Sequence, residues 1–243
     1  MTQKKDQIYI NSGASSKATV GSFKFDDRVA RVFEDMISRS VPGYSQILSM
    51  LPTLTRQFQF ANLHYYDLGC SLGAAMLAMA RGLGDLPHTL VGIDNSASMI
   101  ARAEANLDGI PCELIEQDIL DAQLLAAGMV VMNFTLQFIP LGQRQALVTH
   151  IYEQLCPGGA LILSEKIKFD DPLTHRALID IHHQYKADQG YSDLEISQKR
   201  DAIEDVLIPE TLESHTARLK DAGFSVITPW VQNLQFVSLL AIK

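Results

Sequence analysis

The strongest constraint on the fold is an alternation of short apolar segments with longer segments of helical character. Five largely apolar segments lie at residues 63–68, 89–94, 112–116, 129–134 and 160–165, with acidic or amide side chains near their ends. Apolar runs of this length, with polar residues at their ends, are typical of parallel strands that helices cover on both faces. The sequence therefore predicts an α/β protein built on a mostly parallel sheet.

Helices are predicted between these strands and on both sides of them. The segments between the strands are "AAMLAMARGL", "SASMIARAEANL", "DAQLLAA" and "GQRQALVTHIYEQL". Before the first strand, Val29, Val32, Phe33 and Met36 follow the spacing of one helix face. A second apolar helix follows the turn signal "SVPGYS". Residues 172–222 are predicted to form a helical insertion without a strand.

The C-terminal segments predict how the sheet ends. Residues 224–230 and 234–242 are apolar and are separated only by "VQN", a spacing that favours an antiparallel hairpin. Together with the preceding strand–helix units, this hairpin predicts the Rossmann-like class I methyltransferase fold, with seven strands and added N-terminal helices. Residues 1–24 are predicted to form a polar N-terminal arm, and residues 25–243 a single domain.

Composition excludes several classes of function. A formal net charge of -8 argues against a nonspecific grip on nucleic acid, which needs clustered lysine and arginine. The three cysteines form no C-x-x-C pair, so neither a disulfide framework nor a zinc site is expected. No apolar run reaches the roughly 18 residues of a membrane span. We therefore expect a soluble, cytoplasmic protein that uses no metal.

A glycine loop follows the first predicted strand in "YYDLGCSLGAAML". Gly69 and Gly73 let backbone approach a ligand closely. The loop lacks the G-K-[ST] of phosphate-binding NTPases, and Ser71 stands where the full dinucleotide motif has glycine. Because ligands of open parallel sheets lie beyond the carboxyl ends of the strands, this loop predicts a site for a ligand with few or no phosphates.

The ends of the next three strands favour a nucleoside. Asp94 ends the second strand, where a carboxylate can accept hydrogen bonds from both ribose hydroxyls. Asp118 follows the third strand, where it can accept from an adenine amino group, and Asn133 ends the fourth. Acids at adjacent strand ends, without a lysine loop, suit a nucleoside that carries positive charge. S-Adenosyl-L-methionine, with its sulfonium and ammonium groups, is the expected ligand.

Other interpretations of these residues stay open at this point. The glycine loop also fits a dinucleotide enzyme, and Asp94 and Asp118 also fit helix caps. Cys70 has no apparent paired base and is interpreted as a packing residue, not as a nucleophile. His182 and His183 lack the spacing of a metal site and are interpreted as surface or core residues.

Several stretches together resemble the carboxy-S-adenosyl-L-methionine synthases of bacteria. They are "FDDRVARVFEDMISRSVPGYSQI", "YDLGCSLGAAML", "GIDNSASMI", "VVMNFTLQFI", "CPGGALILSEK" and "GYSDLEISQKR". The similarity runs from about residue 25 to the C-terminus. The glycine loop and the PGG turn are shared with many methyltransferases, whereas "RSVPGY" and "GYSDLEISQKR" are far more particular to this family.

The resemblance implies transfer of a carboxyl group in place of methyl transfer. Members of the family convert S-adenosyl-L-methionine and prephenate into carboxy-S-adenosyl-L-methionine and phenylpyruvate. A partner enzyme then uses this product to make 5-oxyacetic acid uridine (cmo5U) at the wobble position of tRNA. Relatives are homodimers, so the resemblance also implies a homodimer, and the apolar first helices are its expected interface.

The resemblance also implies roles for individual residues. Tyr44 is expected to contact the ligand from the N-terminal helices, and Arg200 is expected to bind the new carboxylate. The remaining positions are Gly69, Cys70 and Ser71 beside the amino-acid part, Asp94 and Asn95 at the ribose and adenine edge, Asp118 and Ile119 at the adenine, and Asn133 near the amino-acid part.

The role implied for Arg200 has a physical basis. A guanidinium about 5 Å from a sulfonium repels it by about 3 kcal/mol at an effective dielectric of about 20. A carboxylate on the methyl carbon turns the same guanidinium into a charge-assisted hydrogen-bond partner. Without the resemblance, Arg200 on a helix with Glu195, Lys199 and Glu204 would be interpreted as a solvated surface charge.

For two steps, binding of prephenate and removal of the methyl proton, the sequence indicates no obvious side chain. Lys166 and Arg39 are weaker candidates for binding the carboxylates of prephenate and are interpreted first as structural residues. No side chain stands out as the base for the methyl proton, and the departing hydroxide or a prephenate carboxylate is our hypothesis. Two other functions stay open, a conventional methyltransferase and a non-catalytic S-adenosyl-L-methionine-binding partner of a tRNA-modifying enzyme.

Overall fold

The structure is a computed structural model that describes residues 27–192 and 206–243. The arm predicted at residues 1–24 lies outside the described residues. The helices α1 to α7 are Asp27–Ser40, Tyr44–Gln57, Ala74–Leu83, Ala97–Asn106, Leu141–Gln154, Pro172–Asp188 and Leu212–Ala222. The strands β1 to β7 are Leu63–Leu68, His88–Asp94, Glu113–Glu116, Ala127–Asn133, Leu155–Lys166, Val226–Asn233 and Phe236–Ile242.

The seven strands form one sheet in the order β3-β2-β1-β4-β5-β7-β6. Strands β1 to β5 run parallel, and β7 pairs antiparallel with both β5 and β6. The strand order reverses between β1 and β4, so a crevice opens beyond the carboxyl ends of these two strands. The predicted class I methyltransferase fold, with its terminal antiparallel hairpin, is confirmed.

The core lies in two layers, one on each face of the sheet. In β4, Val130 and Met132 belong to the layer that contains Ile151 of α5. The intervening Met129 and Val131 belong to the layer on the opposite face, with α3. Alternate residues of a strand point to opposite faces, so a strand that is buried on both faces has apolar residues at every position. This double burial explains the continuous apolar runs that identified the strands.

The N-terminal helices pack beside the crevice. Helix α2 continues through Pro52 and packs closely on α3, where a Cβ built on Gly82 would lie 2.6 Å from the Pro52 carbonyl oxygen. Helix α1 packs on α4 through a small cluster that includes Met36 and Met99. Across the two described ranges, no helix has both the length and the apolar character needed to cross a membrane.

The helix predicted for "DAQLLAA" is wrong. Residues 119–126 form a turn followed by an extended segment. Ala122 and Leu124 are buried and their neighbours are exposed, so the segment has the period of two that extended chain shows. The backbone N–H of Leu125 donates to the hydroxyl oxygen of Tyr66 at 2.9 Å, which holds the segment against β1.

Two boundaries at the C-terminal part of the sheet also differ from the prediction. The "VQN" predicted as the hairpin turn belongs to β6, and the turn lies at Leu234 and Gln235. Leu234 adopts a positive φ of 54°, a conformation that the sequence pattern does not signal. Strand β5 begins at Leu155 and includes the PGG turn of residues 157–159, with a register shift against β4.

Candidate active site

A cavity of about 1410 Å³ opens at the carboxyl ends of the strands, and α1 and α2 form part of its wall. Nine of the ten residues predicted to bind the ligand line it, and the tenth, Arg200, lies outside the described residues. The structure thus places these nine residues around one cavity. That they contact a ligand stays a prediction. These residues are Tyr44, Gly69, Cys70, Ser71, Asp94, Asn95, Asp118, Ile119 and Asn133.

The glycine loop forms one edge of the cavity. The backbone N–H groups of Gly69 and Cys70 donate to the carbonyl oxygen of Ile93, so the loop continues the pairing of β1 with β2. Gly69 has a φ of 82°, and a Cβ there would lie 2.3 Å from Oγ1 of Thr135. Only glycine combines this backbone conformation with so close an approach of the loop that follows β4.

Asp94 is held rigidly at the end of β2. Its Oδ2 accepts the backbone N–H of Ser71 at 2.9 Å, and its Oδ1 accepts that of Ser96 at 3.0 Å. The N-terminal cap of α4 is Ser96, whose hydroxyl oxygen accepts the N–H of Met99, so Asp94 is not the cap. Each carboxylate oxygen retains a lone pair for another donor, as two ribose hydroxyls require.

Asp67 is a buried acid that was not among the predicted binding residues, although it ends the first apolar run. Its exposed fraction is 2%, and it lines the cavity at the end of β1. Burial, together with the nearby Asp94, raises the pKa of Asp67 to about 7. Burial and the charges of Asp67 and Glu34 likewise raise the pKa of Tyr44 above its ordinary value. The floor of the cavity therefore holds two adjacent carboxyl groups, which a bound cation would stabilise.

Asp118 begins a turn at the end of β3. Its Oδ1 accepts the backbone N–H of Leu120 at 3.0 Å, and no helix follows before β4. The alternative in which Asp118 caps the next helix is therefore wrong. The adjacent Ile119 is a buried core residue that also lines the cavity. This turn therefore presents one acidic and one apolar side chain to the cavity.

Asn133, at the end of β4, is oriented by a chain of hydroxyl groups. Its Oδ1 accepts a hydrogen bond from the Ser164 hydroxyl at 2.7 Å, and the Ser238 hydroxyl lies 2.8 Å from that of Ser164. Both serines are fully buried. The next residue, Phe134, has a φ of 59°, so the chain turns sharply as it leaves the sheet.

The turn after β4 is fixed by a carboxyl group that sequence reasoning missed. Glu165 is 1% exposed, and its two oxygens accept the backbone N–H groups of Leu136 and Gln137, both at 2.9 Å. Burial raises the pKa of Glu165, whereas the two N–H groups and the nearby Arg144 guanidinium oppose this rise. Only the acidic residue next to the strand end in "LSEK" could have pointed to this role.

Two residues with open interpretations are core residues. Cys70 is 4% exposed, and burial and nearby carboxyl groups raise the pKa of its thiol, so it packs and is not an activated nucleophile. His182 is 4% exposed, with Nε2 2.7 Å from the Ser40 carbonyl oxygen and Nδ1 3.2 Å from Nε2 of Gln235. Burial and nearby Lys186 lower the pKa of His182 to about 3.

Arg39 and Lys166 are not among the described residues that line the cavity. The Nε of Arg39 donates to the Gln189 carbonyl oxygen, its Nη1 contacts Asp35, and its guanidinium lies 3.9 Å from the centre of the Tyr191 ring. These contacts make Arg39 a structural residue, which was the first of its two interpretations from the sequence. Within the described part of the chain, no group of three or more His, Cys, Asp or Glu residues could hold a metal ion.

Comparisons with solved structures and with family models give the class of protein. The magnesium protoporphyrin IX methyltransferase of Synechocystis PCC 6803, with bound SAH, has a TM-score of 0.59, 16% identity, and coverage of 92% of this chain and 89% of that chain. An O-methyltransferase family protein from Burkholderia thailandensis has a TM-score of 0.62 and 19% identity, and the match covers 90% of this chain and 60% of that chain. A model described as a methyltransferase domain matches residues 66–159. These matches show that the chain has the fold of the S-adenosyl-L-methionine-dependent methyltransferases.

Curated relatives narrow this class to one family. The chain is 50% identical over 252 residues to the carboxy-S-adenosyl-L-methionine synthase of Hahella chejuensis, covering 100% of both chains. It is 52% identical over 225 residues to the enzyme of the same name from Marinobacter nauticus, covering 91% of this chain and 90% of that one. The chain belongs to the carboxy-S-adenosyl-L-methionine synthase family, which confirms the resemblance identified from the sequence.

Proposed function

We propose that this chain binds S-adenosyl-L-methionine in the cavity and transfers a carboxyl group from prephenate to its methyl carbon. The products are carboxy-S-adenosyl-L-methionine and phenylpyruvate. The observation that carries the proposal is the convergence of nine family-type residues on one cavity whose floor holds the carboxyl groups of Asp67 and Asp94. The names of the curated relatives support carboxy-S-adenosyl-L-methionine as the product.

The electrostatics of the cavity favour a cationic nucleoside. Asp67 and Asp94 are close enough to raise the pKa of Asp67, so a positive charge between them relieves an unfavourable interaction. The sulfonium and the ammonium of S-adenosyl-L-methionine both supply such a charge. A dinucleotide would instead place two phosphates beside these acids, and the Ser71 loop has no lysine to compensate them.

The cavity has room for a second substrate. Its volume of about 1410 Å³ exceeds the roughly 300–1,000 Å³ that is typical of a site for one small ligand. Phe134, Phe138 and Ile139 supply an apolar wall next to the acidic loops. We assign prephenate to the side of the cavity that this apolar wall borders, because water excluded there cannot protonate a carbanion.

The proposed reaction balances without a redox partner or a metal. Prephenate loses its ring carboxyl group as carbon dioxide and its ring hydroxyl as hydroxide, and the ring becomes aromatic. The hydroxide takes a proton from the methyl group, which forms water and leaves a carbanion that the sulfonium stabilises. The carbanion carbon then bonds to carbon dioxide. The chain orients the two substrates and keeps water out of the site.

The mass of the nucleoside product tests the proposal. The purified chain is incubated with S-adenosyl-L-methionine and prephenate, and the adenosine compounds are separated and weighed. We expect a product heavier than S-adenosyl-L-methionine by one carbon dioxide, formed only when prephenate is present. Release of S-adenosylhomocysteine would instead indicate a conventional methyltransferase, and binding without any turnover would indicate a non-catalytic binding protein.

Arg200 is proposed to bind the carboxylate of the product. Arg200→Met is expected to weaken binding of carboxy-S-adenosyl-L-methionine by about tenfold or more, because a charge-assisted hydrogen-bond pair is lost. Binding of S-adenosyl-L-methionine should hold or improve, since the guanidinium no longer repels the sulfonium. An equal loss of affinity for both ligands in Arg200→Met would contradict this role.

The biological setting follows from the same proposal. We propose that the product supplies a partner enzyme that makes the wobble uridine cmo5U in tRNA, and that the chain itself does not bind the nucleic acid. A homodimer in the cytoplasm is part of this proposal. Sedimentation analysis tests the dimer, and loss of cmo5U from tRNA after deletion of the gene tests the pathway.

A further inference from the structure

One fully buried arginine connects two separate parts of the cavity boundary. Arg144, in α5, has an exposed fraction of 0%. Its guanidinium donates to the carbonyl oxygens of Gln137 at 3.0 Å and Ile139 at 2.8 Å. The same group donates to the carbonyl oxygen of Ile208 at 2.9 Å and to Oε2 of Glu210 at 2.6 Å. Four acceptors from two distant stretches of chain thus share one side chain.

The first of these parts is the turn between β4 and α5. Its residues Gln137 and Ile139, both bonded to Arg144 through their carbonyl groups, line the cavity. Glu165 accepts the backbone N–H groups of Leu136 and Gln137 in the same turn. The turn is therefore fixed through its donors by the buried carboxyl group of Glu165 and through its acceptors by the buried guanidinium of Arg144.

The second part is the segment that leads into α7. Val206 lines the cavity, and the backbone N–H of Ile208 donates to the carbonyl oxygen of Gln137 at 3.0 Å. Glu210 forms an isolated parallel bridge with Ile167 and also accepts Nη2 of Arg218. The segment thus reaches the cavity wall through direct backbone pairing and through Arg144.

We propose that Arg144 is a positioning residue that sets the half of the cavity where the transferred carboxyl group lies. The inference rests on the proposed function. Arg144 acts on the turn after β4 and on Val206, whereas the adenosine is expected at Asp94 and Asp118, which Arg144 does not contact. Loss of Arg144 therefore changes recognition of the carboxyl group more than recognition of the nucleoside.

The test compares two arginines that share one carboxylate. Arg144→Lys keeps the positive charge, but an ammonium has three donors and cannot reach four acceptors in two directions. Arg218→Lys is the matched control, because Arg218 also bonds to Glu210 but makes no contact with the turn after β4. Dissociation constants for carboxy-S-adenosyl-L-methionine and S-adenosyl-L-methionine are measured by calorimetry for the full chain and both variants.

We expect the wild-type chain to prefer the carboxylated nucleoside, Arg144→Lys to reduce that preference by about tenfold, and Arg218→Lys to preserve it within about twofold. Glu210→Gln is the second variant if Arg144→Lys fails to fold, and it should reduce the preference by about threefold. The inference would be overturned if Arg144→Lys kept the full preference for the carboxylated nucleoside. The same holds for Glu210→Gln where that variant is used. An equal fall in Arg218→Lys would also overturn it. Absence of the preference in the wild-type chain would overturn this inference, whereas the proposed reaction fails only if no product heavier by one carbon dioxide is formed.

Discussion

The cavity has two walls that are built in different ways. The acidic wall comprises the loops after β1, β2 and β3, with Asp94 and Asp118, whose carboxylates accept backbone N–H groups of their own loops and, for Asp94, of the neighbouring loop. The clamped wall is the turn of residues 134–140, and it is held by side chains from other elements, Glu165 and Arg144. The acidic wall supplies the charges that a nucleoside needs. The clamped wall supplies an apolar surface whose shape depends on a buried carboxyl group and a buried guanidinium.

This difference indicates that the two walls have different functions. A loop held by backbone N–H groups can present a carboxylate without support from other side chains, as Asp94 does through Ser71 of the neighbouring loop and Ser96 of its own loop. A turn that contains Phe134 at a positive φ is strained by roughly 1–3 kcal/mol and persists only when its surroundings hold it. We therefore expect changes in the acidic wall to affect ligand affinity first, and changes in the clamped wall to affect stability and recognition together.

The largest expected effect is at the acidic wall. Asp94→Asn places an amide N–H₂ opposite one of the two backbone N–H groups and removes the charge that the ribose hydroxyls need. We expect about 100-fold weaker binding of S-adenosyl-L-methionine, measured by calorimetry, equivalent to about 3 kcal/mol. Asp108→Asn, an exposed acid in the turn after α4, is the control with the same charge change. Equal affinities in the two variants would show that Asp94 does not contact the ligand.

The closest approach of the two walls gives the second prediction. Gly69→Ala would place a Cβ 2.3 Å from Oγ1 of Thr135, at a φ of 82°. Gly109→Ala is a matched control, because its φ is 78° and no atom lies within 4 Å of the added Cβ. Thermal or urea unfolding should show a loss of about 1 kcal/mol for Gly109→Ala, from backbone strain alone, and about 3 kcal/mol for Gly69→Ala. Equal losses would mean that the walls do not touch tightly.

A smaller effect is expected at the clamped wall. Glu165→Gln retains one acceptor oxygen but turns an amide N–H₂ toward the second backbone N–H of the turn. We expect a loss of about 2 kcal/mol in the free energy of unfolding, because a buried donor is left without a partner. Affinity for S-adenosyl-L-methionine should fall by less than in Asp94→Asn. A larger fall in affinity than in Asp94→Asn would reverse the proposed division between the walls.

The smallest effect concerns pH. The pKa of Asp67 is raised to about 7 from an unfolded value near 3.8, so the native chain holds a proton that the unfolded chain releases between these values. The contribution of Asp67 to stability therefore falls as pH rises through this window in the absence of ligand. A cation favours the carboxylate, so ligand affinity should rise about tenfold between pH 6 and pH 8.

The matched variant for this prediction is Asp67→Asn, which cannot titrate. The ammonium group of the ligand also titrates, so the informative quantity is the difference between the pH profiles of the wild-type chain and of Asp67→Asn. Parallel profiles would show that Asp67 does not exchange a proton when the ligand binds.

The sequence predicted the acidic wall well and the clamped wall poorly, and the reason is physical. Asp94 and Ser71 lie beside strand ends that apolar runs identify, and the parallel topology then brings those ends together. The contacts of Glu165 with the turn after β4, and those of Arg144 with Ile208 and Glu210, join residues far apart in the chain, and a single sequence carries no local pattern for such pairs. The "DAQLLAA" segment was misassigned because helix-forming residues there pack with the period of two.

We propose that this cavity moves one carboxyl group from prephenate to the methyl carbon of S-adenosyl-L-methionine. The most direct measurement uses prephenate labelled with carbon-13 in its ring carboxyl group and mass spectrometry of the nucleoside product. We expect a nucleoside that is heavier than S-adenosyl-L-methionine by one labelled carbon dioxide, together with phenylpyruvate that has lost the label. Unlabelled nucleoside, or S-adenosylhomocysteine in its place, would contradict it.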